Sequence, residues 1–440
     1  MGNQNGVTRR RYLVTTGAIG TAALAGCADD EGGNGNGNAT GNGNGNGNGN
    51  GGGDGDLEIV HWWTAGGEEE AFNALVDGYE ESTDFTAGPN PAPGGAGSGI
   101  DQTIQARVID EEPPGTFQIW PGEALRTYTS ADALEPVGDL YEDGAQDAYL
   151  DSVVEAATID GDVVSVPINI HRLNNIFYNV EVLDDAGVDV ESIDGPEGLL
   201  EAFETVDSAG YVGMAQQTQE PWGTLQLWEV VFTGQHGVDT FQQFLDGNAA
   251  DLESEINDSL SLVADYSEYF NEDAGTVSWD EANNAVITGD AAFHHNGDWA
   301  AGEYQTAEDF EYGEGWDYAA FPGTEGVYTL VMDSFVMPAN NPTPDATEAW
   351  IEYCSTADAQ ERFNPPKGSI PPRTDVPTDE FPPFLQDQMS DFEDSDEQIT
   401  SIAHGSGLQP AQASEVQEAF AVFTDNWDPD ETTQELIDIF

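Results

Sequence analysis

The stretch LEIVHWWTAGGEEEAFNALVDGYEES, residues 57 to 82, predicts a strand followed by an amphipathic helix. Its first part, Leu57 to Trp63, is rich in the β-branched and aromatic side chains that favour a strand. From Glu68 to Ser82 the apolar residues recur at helical spacing. One face of that predicted helix carries Ala71, Phe72, Leu75, Val76 and Tyr79. A strand followed by an amphipathic helix is the repeating unit of an α/β fold, which we therefore expect.

The same alternation continues along the chain. Further strands are predicted at 117 to 120, around 160 to 167 with a turn at Gly161, and before Asn179. Further helices are predicted at 101 to 111, 196 to 208, 224 to 234, 251 to 270 and 343 to 357, and 89 to 99 is predicted to be a loop. The body from Leu57 to Phe440 is longer than one ordinary core, so we expect two lobes with mainly parallel sheets.

The charge balance excludes whole classes of partner. The chain has 9 Lys+Arg against 84 Asp+Glu, a formal net charge of -75, and Arg9, Arg10 and Arg11 lie in its N-terminal segment. Binding to nucleic acid depends on basic side chains that neutralise phosphates, and anionic membrane surfaces also attract basic segments. We therefore expect no nucleic-acid partner and no membrane contact through the body.

This acidity indicates a protein of high-salt environments. With 38% hydrophobic residues and 10 Trp, the chain has too much apolar content to be disordered. Such a charge would destabilise a compact state by self-repulsion, but at ~1 M salt the Debye length falls to about 3 Å and screens it. Acidic chains with almost no lysine resemble the proteins of halophilic archaea, and Lys367 is the only lysine here.

Residues 1 to 27 predict export and lipidation. Thr8 to Leu13 contains consecutive arginines, a short apolar stretch follows, and Leu24-Ala25-Gly26 precedes Cys27. This pattern resembles a twin-arginine signal that ends in a lipobox, with cleavage before Cys27 and lipid on its sulfur. A short membrane anchor is the alternative, but the stretch is too short to span a core of ~30 Å.

The segment 28 to 56 is rich in Gly and Asn and predicts a disordered tether. We therefore expect an extracellular body, held at the outer face of the cell membrane only through the Cys27 lipid. The sequences starting at Asn38 and Asn257 also fit the N-glycosylation pattern, which is a weak signal.

Catalytic signatures are missing from the sequence. It contains no GxSxG, HExxH or GxxxxGK[ST] motif. The adjacent His294 and His295 would point to opposite faces of a strand and make a poor metal clamp. We therefore expect no catalytic residue, metal or cofactor. With 84 acidic residues, however, carboxylate pairs occur by chance, and a glycoside hydrolase stays an open alternative.

Aromatic residues lie beside amides at several predicted strand ends. These places are 61 to 64, 118 to 120, 171 to 175 and 296 to 299. In open α/β sheets the ligand lies beyond the carboxyl ends of the strands. Aromatic rings offer flat apolar faces to a sugar ring, whereas side chains such as Arg172, Asn174 and Asn296 offer partners to its hydroxyls. The pattern therefore favours a sugar ligand.

Six stretches resemble one family. They are VHWWTAGGEEEAFNAL (60 to 75), PPGTFQIWPG (113 to 122), VPINIHRLNNIFYNVEVLDDAGVD (166 to 189), GDAAFHHNGDWAAGEY (289 to 304), NPPKGSIPPR (364 to 373) and IAHGSG (402 to 407). In this order they resemble the extracellular solute-binding lipoproteins of carbohydrate ABC transporters, family 1, near the glucose/mannose-binding branch.

That resemblance implies a two-lobed periplasmic-binding-protein-like α/β fold with a hinge and an interlobe cleft. We expect one lobe from 57 to 168 plus about 334 to 370, and the other from about 169 to 333 plus 371 to 440. The expected function is to bind a small neutral sugar such as glucose, without catalysis, and to deliver it to ABC permease subunits that a cytoplasmic ATPase drives. We expect a monomer.

The resemblance also implies ligand-binding residues. By position it selects Trp62, Trp63, Glu68, Gln118, Trp120, Asp298, Trp299, Lys367 and His404, in addition to Arg172, Asn174 and Asn296 from the loop pattern. In this interpretation the lone lysine is kept because its ammonium donates hydrogen bonds inside the cleft. A salt bridge across the hinge is the structural alternative.

Two positions depart from the family pattern. Thr116 stands where relatives often carry Asp, and Asn296 stands where Gln is common. These departures affect the identity of the ligand more than its class. A receptor for an oligosaccharide or a polyol therefore stays open beside the glucose receptor.

Overall fold

A computed structural model describes residues 55–92, 98–141 and 145–440 of the chain. The predicted signal, Cys27, almost all of the tether and Asn38 lie outside the described residues, as do 93 to 97 of the predicted loop. In the described part of the chain, no helix has the length and apolar character needed to cross a membrane.

The described residues form short strands and many helices. The strands are β1 (Leu57–His61), β2 (Ala87–Pro91), β3 (Thr116–Ile119), β4 (Thr158–Ile159), β5 (Asp162–Val163), β6 (Ser165–Pro167), β7 (His171–Arg172), β8 (Asn175–Asn179), β9 (Val212–Ala215), β10 (Ala291–Asn296), β11 (Trp316–Ala320), β12 (Val327–Val331), β13 (Ser334–Val336) and β14 (Glu397–Thr400). The helices are α1 (Gly66–Ser82), α2 (Ser98–Ile109), α3 (Arg126–Thr129), α4 (Asp151–Ala156), α5 (Val180–Ala186), α6 (Gly195–Ala209), α7 (Pro221–His236), α8 (Val238–Leu245), α9 (Glu253–Ser267), α10 (Trp279–Ile287), α11 (Ala300–Tyr304), α12 (Pro344–Cys354), α13 (Ala357–Lys367), α14 (Pro383–Asp394), α15 (Pro410–Asn426) and α16 (Pro429–Ile439). Short 3₁₀ helices lie at Glu123–Leu125, Gly138–Leu140, Ala145–Ala148, Val190–Ser192 and Ala249–Leu252.

Three sheets organise the body, and they confirm the predicted α/β class. Sheet 1 has the strand order β2-β1-β3-β13-β6, sheet 2 the order β11-β8-β10-β9, and sheet 3 the order β14-β12-β7. Ile59, Phe117 and Phe335 of sheet 1 are fully buried in one apolar core. Phe293 of sheet 2 is fully buried in a second apolar core.

The expectation of mainly parallel sheets is wrong. Strand β1 is parallel to β2 and β3, but β6, β7 and β8 pair antiparallel with β13, β12 and β11. Strands β6, β7 and β8 pass through sheets 1, 3 and 2 in that order, and strands β11, β12 and β13 return through sheets 2, 3 and 1. The two runs therefore pair antiparallel. The expected lobe boundaries near 168 and 333 fall in these crossing segments, and the boundaries themselves stay a prediction.

The predicted elements are present with shifted ends, and the loop predicted at 89 to 99 is wrong at both ends, because β2 runs to Pro91 and α2 begins at Ser98. Strand β1 stops at His61, so that Trp62 and Trp63 follow the strand instead of belonging to it. The helix predicted at 251 to 270 is the shorter α9, and the one predicted at 343 to 357 is α12. The sequence reading missed α13, because Pro365 and Pro366 favour a helix end; both lie in its last turn.

The glycosylation pattern at Asn257 lies within α9. Its side-chain Nδ2 donates to Asp430 Oδ1 at 3.0 Å and to Thr433 Oγ1 at 3.3 Å, both on α16. The Ser259 hydroxyl of the same pattern is buried and accepts a hydrogen bond from Trp228 Nε1 at 2.8 Å. A glycan on Asn257 would break the contacts with α16, so the fold disfavours it.

Helices α1, α11 and α13 approach one another closely at the cavity described below. A Cβ atom built on Gly67, at the start of α1, would lie 2.3 Å from the Pro366 carbonyl oxygen and 3.2 Å from the Gly302 Cα. Both obstacles are backbone atoms, which cannot rotate away as a side chain would. Gly67 is therefore required by a close approach of three helices.

We expect Gly67→Ala to destabilise the protein by about 1–3 kcal/mol, because overpacking forces backbone shifts. The matched control is Gly198→Ala in α6, where a Cβ would meet its nearest atom, Ile193 Cγ2, at 3.5 Å. That change should stabilise by about 0.5–1 kcal/mol through helix propensity. Urea unfolding in molar KCl measures both. Equal effects of the two substitutions would contradict the close approach.

Candidate functional site

Side chains from several chain segments converge on one cavity of about 70 Å³. Trp62 follows β1 and Trp120 follows β3, both in sheet 1, whereas Trp299 follows β10 in sheet 2. The complete lining consists of Trp62, Thr64, Ala65, Glu68, Trp120, His171, Trp222, Trp279, Trp299, Val331, Asp333, Lys367 and His404. The cavity is therefore built jointly by the segments around sheets 1 and 2.

Half of the twelve predicted ligand-binding residues line this cavity. Those that do are Trp62, Glu68, Trp120, Trp299, Lys367 and His404. Those that lie behind it or apart from it are Trp63, Gln118, Arg172, Asn174, Asn296 and Asp298. Whether the lining residues bind a ligand stays a prediction.

Trp63 and Gln118 are buried behind the cavity wall. The Trp63 ring packs in the core with its centroid 4.8 Å from that of Phe363. Gln118 accepts a hydrogen bond from Trp62 N at 3.1 Å and donates one to Asp333 Oδ1 at 3.0 Å. Gln118 thus orients two residues that do line the cavity.

Arg172 and Asn174 stabilise the crossing segment of sheet 3. Arg172 Nη1 lies 2.5 Å from Asp391 Oδ2 on α14. Asn174 Nδ2 donates to Thr324 Oγ1 at 3.0 Å and to the Val327 carbonyl oxygen at 2.9 Å. These contacts satisfy both side chains away from the cavity.

Asn296 and Asp298 are held within the protein. Asn296 Nδ2 lies 3.1 Å from His294 Nε2, and its Oδ1 accepts from Gly297 N at 2.9 Å. Asp298 is fully buried, bonds through Oδ1 to His171 Nδ1, and accepts from Arg172 N at 3.0 Å. Asp298 therefore orients His171, which does line the cavity.

The lone lysine is buried in the cavity wall. Lys367 is the last residue of α13, is 2% exposed, and lies with Nζ 3.0 Å from Glu68 Oε1 on α1. Burial raises the pKa of Glu68 above its ordinary value, although the Lys367 ammonium acts in the opposite direction. The ammonium also lies 5.6 Å from the centre of the Trp299 ring, within the range of a cation–π contact.

A histidine and a carboxylate form a second polar pair. His171 Nε2 lies 3.5 Å from Asp333 Oδ2. Burial disfavours the charged form of His171, but Asp298 and Asp333 outweigh it and raise its pKa. Burial would also raise the pKa of Asp333, but its bond with His171 and the Lys367 ammonium hold that pKa below its ordinary value.

His404 lies among tryptophans. The centroids of Trp120, Trp222 and Trp299 are 5.3, 5.7 and 5.4 Å from its ring centroid. Burial lowers the pKa of His404 to about 3, with His171 and Lys367 acting in the same direction and Asp333 against it. The imidazole is therefore neutral at ordinary pH.

The sequence reading missed four of the larger lining side chains. His171 stood within the aromatic and amide pattern at 171 to 175 but was not selected from it. Trp222 and Trp279 open α7 and α10, and Asp333 lies between β12 and β13. A search for tryptophans in the first turns of helices would have found Trp222 and Trp279.

We expect His404→Gln to make the protein less sensitive to acid. The pKa of His404 is about 3 in the folded protein and about 6.5 for an unfolded histidine, so the unfolded state binds the proton first. Wild type should therefore lose up to about 1.4 kcal/mol per pH unit more than the variant as the pH falls from 6.5 toward 3. Urea unfolding between pH 7 and 4 measures this. Parallel stability curves would contradict it.

Comparisons with known proteins define the family. Residues 74–389 match the family described as "Bacterial extracellular solute-binding protein". The xylose/arabinose-binding protein XacG of Haloferax volcanii is 36% identical over 371 residues, 83% of this chain and 80% of that protein. An ABC transporter extracellular-binding protein of Pyrococcus horikoshii, called uncharacterized, is 33% identical over 387 residues, 87% of this chain and 86% of that protein.

A solved structure supports the same assignment at the level of fold. A chitin oligosaccharide binding protein superposes with a TM-score of 0.76 at 17% identity, covering 87% of this chain and 97% of that chain. This similarity confirms the expected two-lobed α/β fold. The family match covers well over half of the chain, and two relatives exceed 30% identity over most of it. The chain therefore belongs to the family of bacterial extracellular solute-binding proteins.

Proposed function

We propose that this protein is the sugar-binding component of an ABC importer and that it binds one monosaccharide in the tryptophan-lined cavity. The observation that carries this proposal is the lining itself. It combines the five tryptophans Trp62, Trp120, Trp222, Trp279 and Trp299 with buried polar side chains of both hydrogen-bonding types.

The chemistry of the lining suits a sugar. Indole faces pack against the C–H side of a pyranose, and this contact needs no charge on the ligand. Each sugar hydroxyl both donates and accepts, so it can use the Lys367 ammonium, the Asp333 carboxylate and the His404 imidazole in turn. Glu68 already lies against Lys367, which leaves little net charge to attract an ion.

The volume favours one sugar ring. The cavity measures about 70 Å³, well below the roughly 300–1,000 Å³ typical of pockets for drug-sized ligands. So small a space admits a single sugar ring at most, while a disaccharide would need the cavity to extend into solvent. An oligosaccharide ligand is therefore disfavoured.

Two monosaccharide classes have separate support. Glucose follows from the resemblance of the lysine and histidine stretches to the glucose/mannose-binding branch. A pentose is the second candidate, favoured by the 36% identity to a relative named for xylose and arabinose. Membership of a solute-binding family argues against the alternative function of a glycoside hydrolase, because solute-binding proteins bind their ligand and release it intact.

We propose that the protein captures the sugar by closing its two lobes around it. A ligand shifts an open–closed equilibrium only through its greater affinity for the closed state. Trp62 and Trp120 from the sheet 1 side and Trp222 and Trp299 from the sheet 2 side can contact a sugar together only when the cleft is closed. The closed form would then dock on membrane permease subunits, with the body held at the outer face by the Cys27 lipid in a high-salt medium.

The ligand class can be tested by calorimetric titration of the full-length chain with glucose, xylose, arabinose and maltose in molar KCl. We expect saturable binding of at least one monosaccharide with a stoichiometry of one, much weaker binding of maltose, and intact sugar recovered afterwards. Binding of maltose alone would contradict the single-ring cavity. Cleavage of maltose to glucose would favour the hydrolase.

We expect Lys367→Met to weaken binding of the best monosaccharide by about 10- to 150-fold, because a charged hydrogen bond to a ligand contributes about 1.5–3 kcal/mol. The matched control is Arg362→Met, since Arg362 forms surface ion pairs with Glu81 and Asp358 away from the cavity. Calorimetry measures both affinities, and urea unfolding verifies that each variant folds. Unchanged affinity in a folded Lys367→Met protein would remove the lysine from the site.

A further inference from the structure

One face of α7 points toward the cavity. Trp222, Gln226 and Glu229 follow one another at spacings of four and three residues, so they share a face of the helix. All three are buried, at 7%, 1% and 1% exposed. Trp222 lines the cavity, whereas Gln226 and Glu229 contact the loop that carries His404.

Glu229 holds the backbone that leads to His404. One carboxylate oxygen accepts from Ile402 N at 2.5 Å and from Ala403 N at 2.9 Å, and the other accepts from Ser401 Oγ at 2.8 Å. Three donors from consecutive residues therefore converge on one buried carboxylate. This arrangement fixes the position of the loop on α7.

Gln226 holds the His404 ring itself. Its Oε1 lies 2.9 Å from His404 Nε2, and its Nε2 donates to the Leu173 carbonyl oxygen at 3.4 Å. That carbonyl oxygen also pairs with His295 Nε2 at 3.1 Å. Turning the amide round would place Oε1 against the Leu173 oxygen, with repulsion between two acceptors. The amide oxygen therefore faces His404, and Nε2 of His404 must carry the proton.

The other ring nitrogen is consequently an acceptor. A neutral imidazole carries one proton, so Nδ1 of His404 keeps a free lone pair when Nε2 is protonated. Within the described ranges no protein donor reaches this Nδ1. The atom is also not among the fully buried polar atoms that lack a partner, so it is not sealed off inside the protein. The ring borders the cavity, so a bound ligand can reach this nitrogen.

We propose that Gln226 is a positioning residue that fixes the Nε2-protonated tautomer of His404, so that the site selects a ligand hydroxyl that donates to Nδ1. This inference rests on the proposed sugar binding in the same cavity. It assigns a specificity role to a residue that does not contact the ligand. The buried, neutral state of His404 agrees with it, because an imidazolium could accept no hydrogen bond.

The tautomer can be measured without any ligand. The chain has 6 His, so long-range ¹H–¹⁵N spectra of the full-length protein labelled at histidine give few signals, and His404→Gln assigns the relevant one. We expect Nε2 protonation in wild type. In Gln226→Met, which keeps the length but removes the acceptor, we expect the Nδ1-protonated form to become populated.

Two further variants distinguish a role of Gln226 in positioning His404 from a mere packing effect of substitutions in α7. Gln226→Glu keeps an acceptor beside Nε2 when the other carboxyl oxygen is protonated and donates to the Leu173 carbonyl oxygen, and it should then restore the wild-type tautomer. Gln235→Met changes a glutamine of the same helix that bonds to Glu197 at 2.7 Å instead, and should leave the His404 signal unchanged. An Nδ1-protonated His404 in wild type, or an unchanged tautomer in Gln226→Met, would overturn the proposal.

The selectivity is tested with glucose and xylose and their monodeoxyfluoro analogues. Fluorine cannot donate a hydrogen bond, so the analogue altered at the hydroxyl facing Nδ1 should bind wild type at least about 10-fold more weakly than its parent sugar. The ratio of the affinity for the parent sugar to the affinity for this analogue should be smaller in Gln226→Met than in wild type. In Gln235→Met it should be the same as in wild type. An equal ratio in both variants would contradict the selective role. If none of glucose, xylose and arabinose binds wild type, the proposed function fails, while the tautomer measurement still decides the role of Gln226.

Discussion

The buried ion pair between Lys367 and Glu68 is the interaction on which the site depends. Removing an ammonium and a carboxylate from water costs several kcal/mol per ion, and such pairs often stabilise a fold no better than apolar side chains would. The chain nevertheless places its only lysine there, 2% exposed, at the end of α13 and against the start of α1. Because this costly pair lies beside five tryptophans and Asp333, we infer that it serves the proposed ligand binding rather than stability.

This pair also constrains the surrounding backbone. Lys367 reaches Glu68 because α13 ends beside the first turn of α1, where Gly67 and Gly302 leave no room for side chains. On the opposite wall, Glu229 and Gln226 hold the His404 loop against α7. Just beyond, Ser406 Oγ donates to the Pro121 carbonyl oxygen at 3.2 Å, linking that loop to the segment after β3. By the expected lobe boundaries, the approach of Gly67 to Gly302 and the bond from Ser406 to Pro121 join the two lobes, so opening the cleft would break these contacts.

Local pattern and family resemblance predicted much of this structure, but not how distant strands pair or which side chains face the cavity. The apolar spacing of α1 gave its extent to within two residues, because one face alone is buried. Pattern could not show that the crossing segments pair antiparallel, since that pairing joins residues far apart in the chain. Of the adjacent Trp62 and Trp63, one faces the cavity and the other the core. Likewise Gln118 and Asp298 lie where the motifs indicated, yet their bonds to Asp333 and His171 make them supports of the lining.

A crystal structure of the protein with its tightest-binding monosaccharide would show whether the tryptophan-lined cavity is the sugar site. We expect one sugar ring in the cavity, packed between tryptophans of both sides, with a hydroxyl on Lys367 Nζ and another donating to His404 Nδ1. A sugar bound elsewhere, or a cavity that holds only water beside an intact pair of Lys367 and Glu68, would contradict it. In that case the lone lysine would be a structural salt bridge.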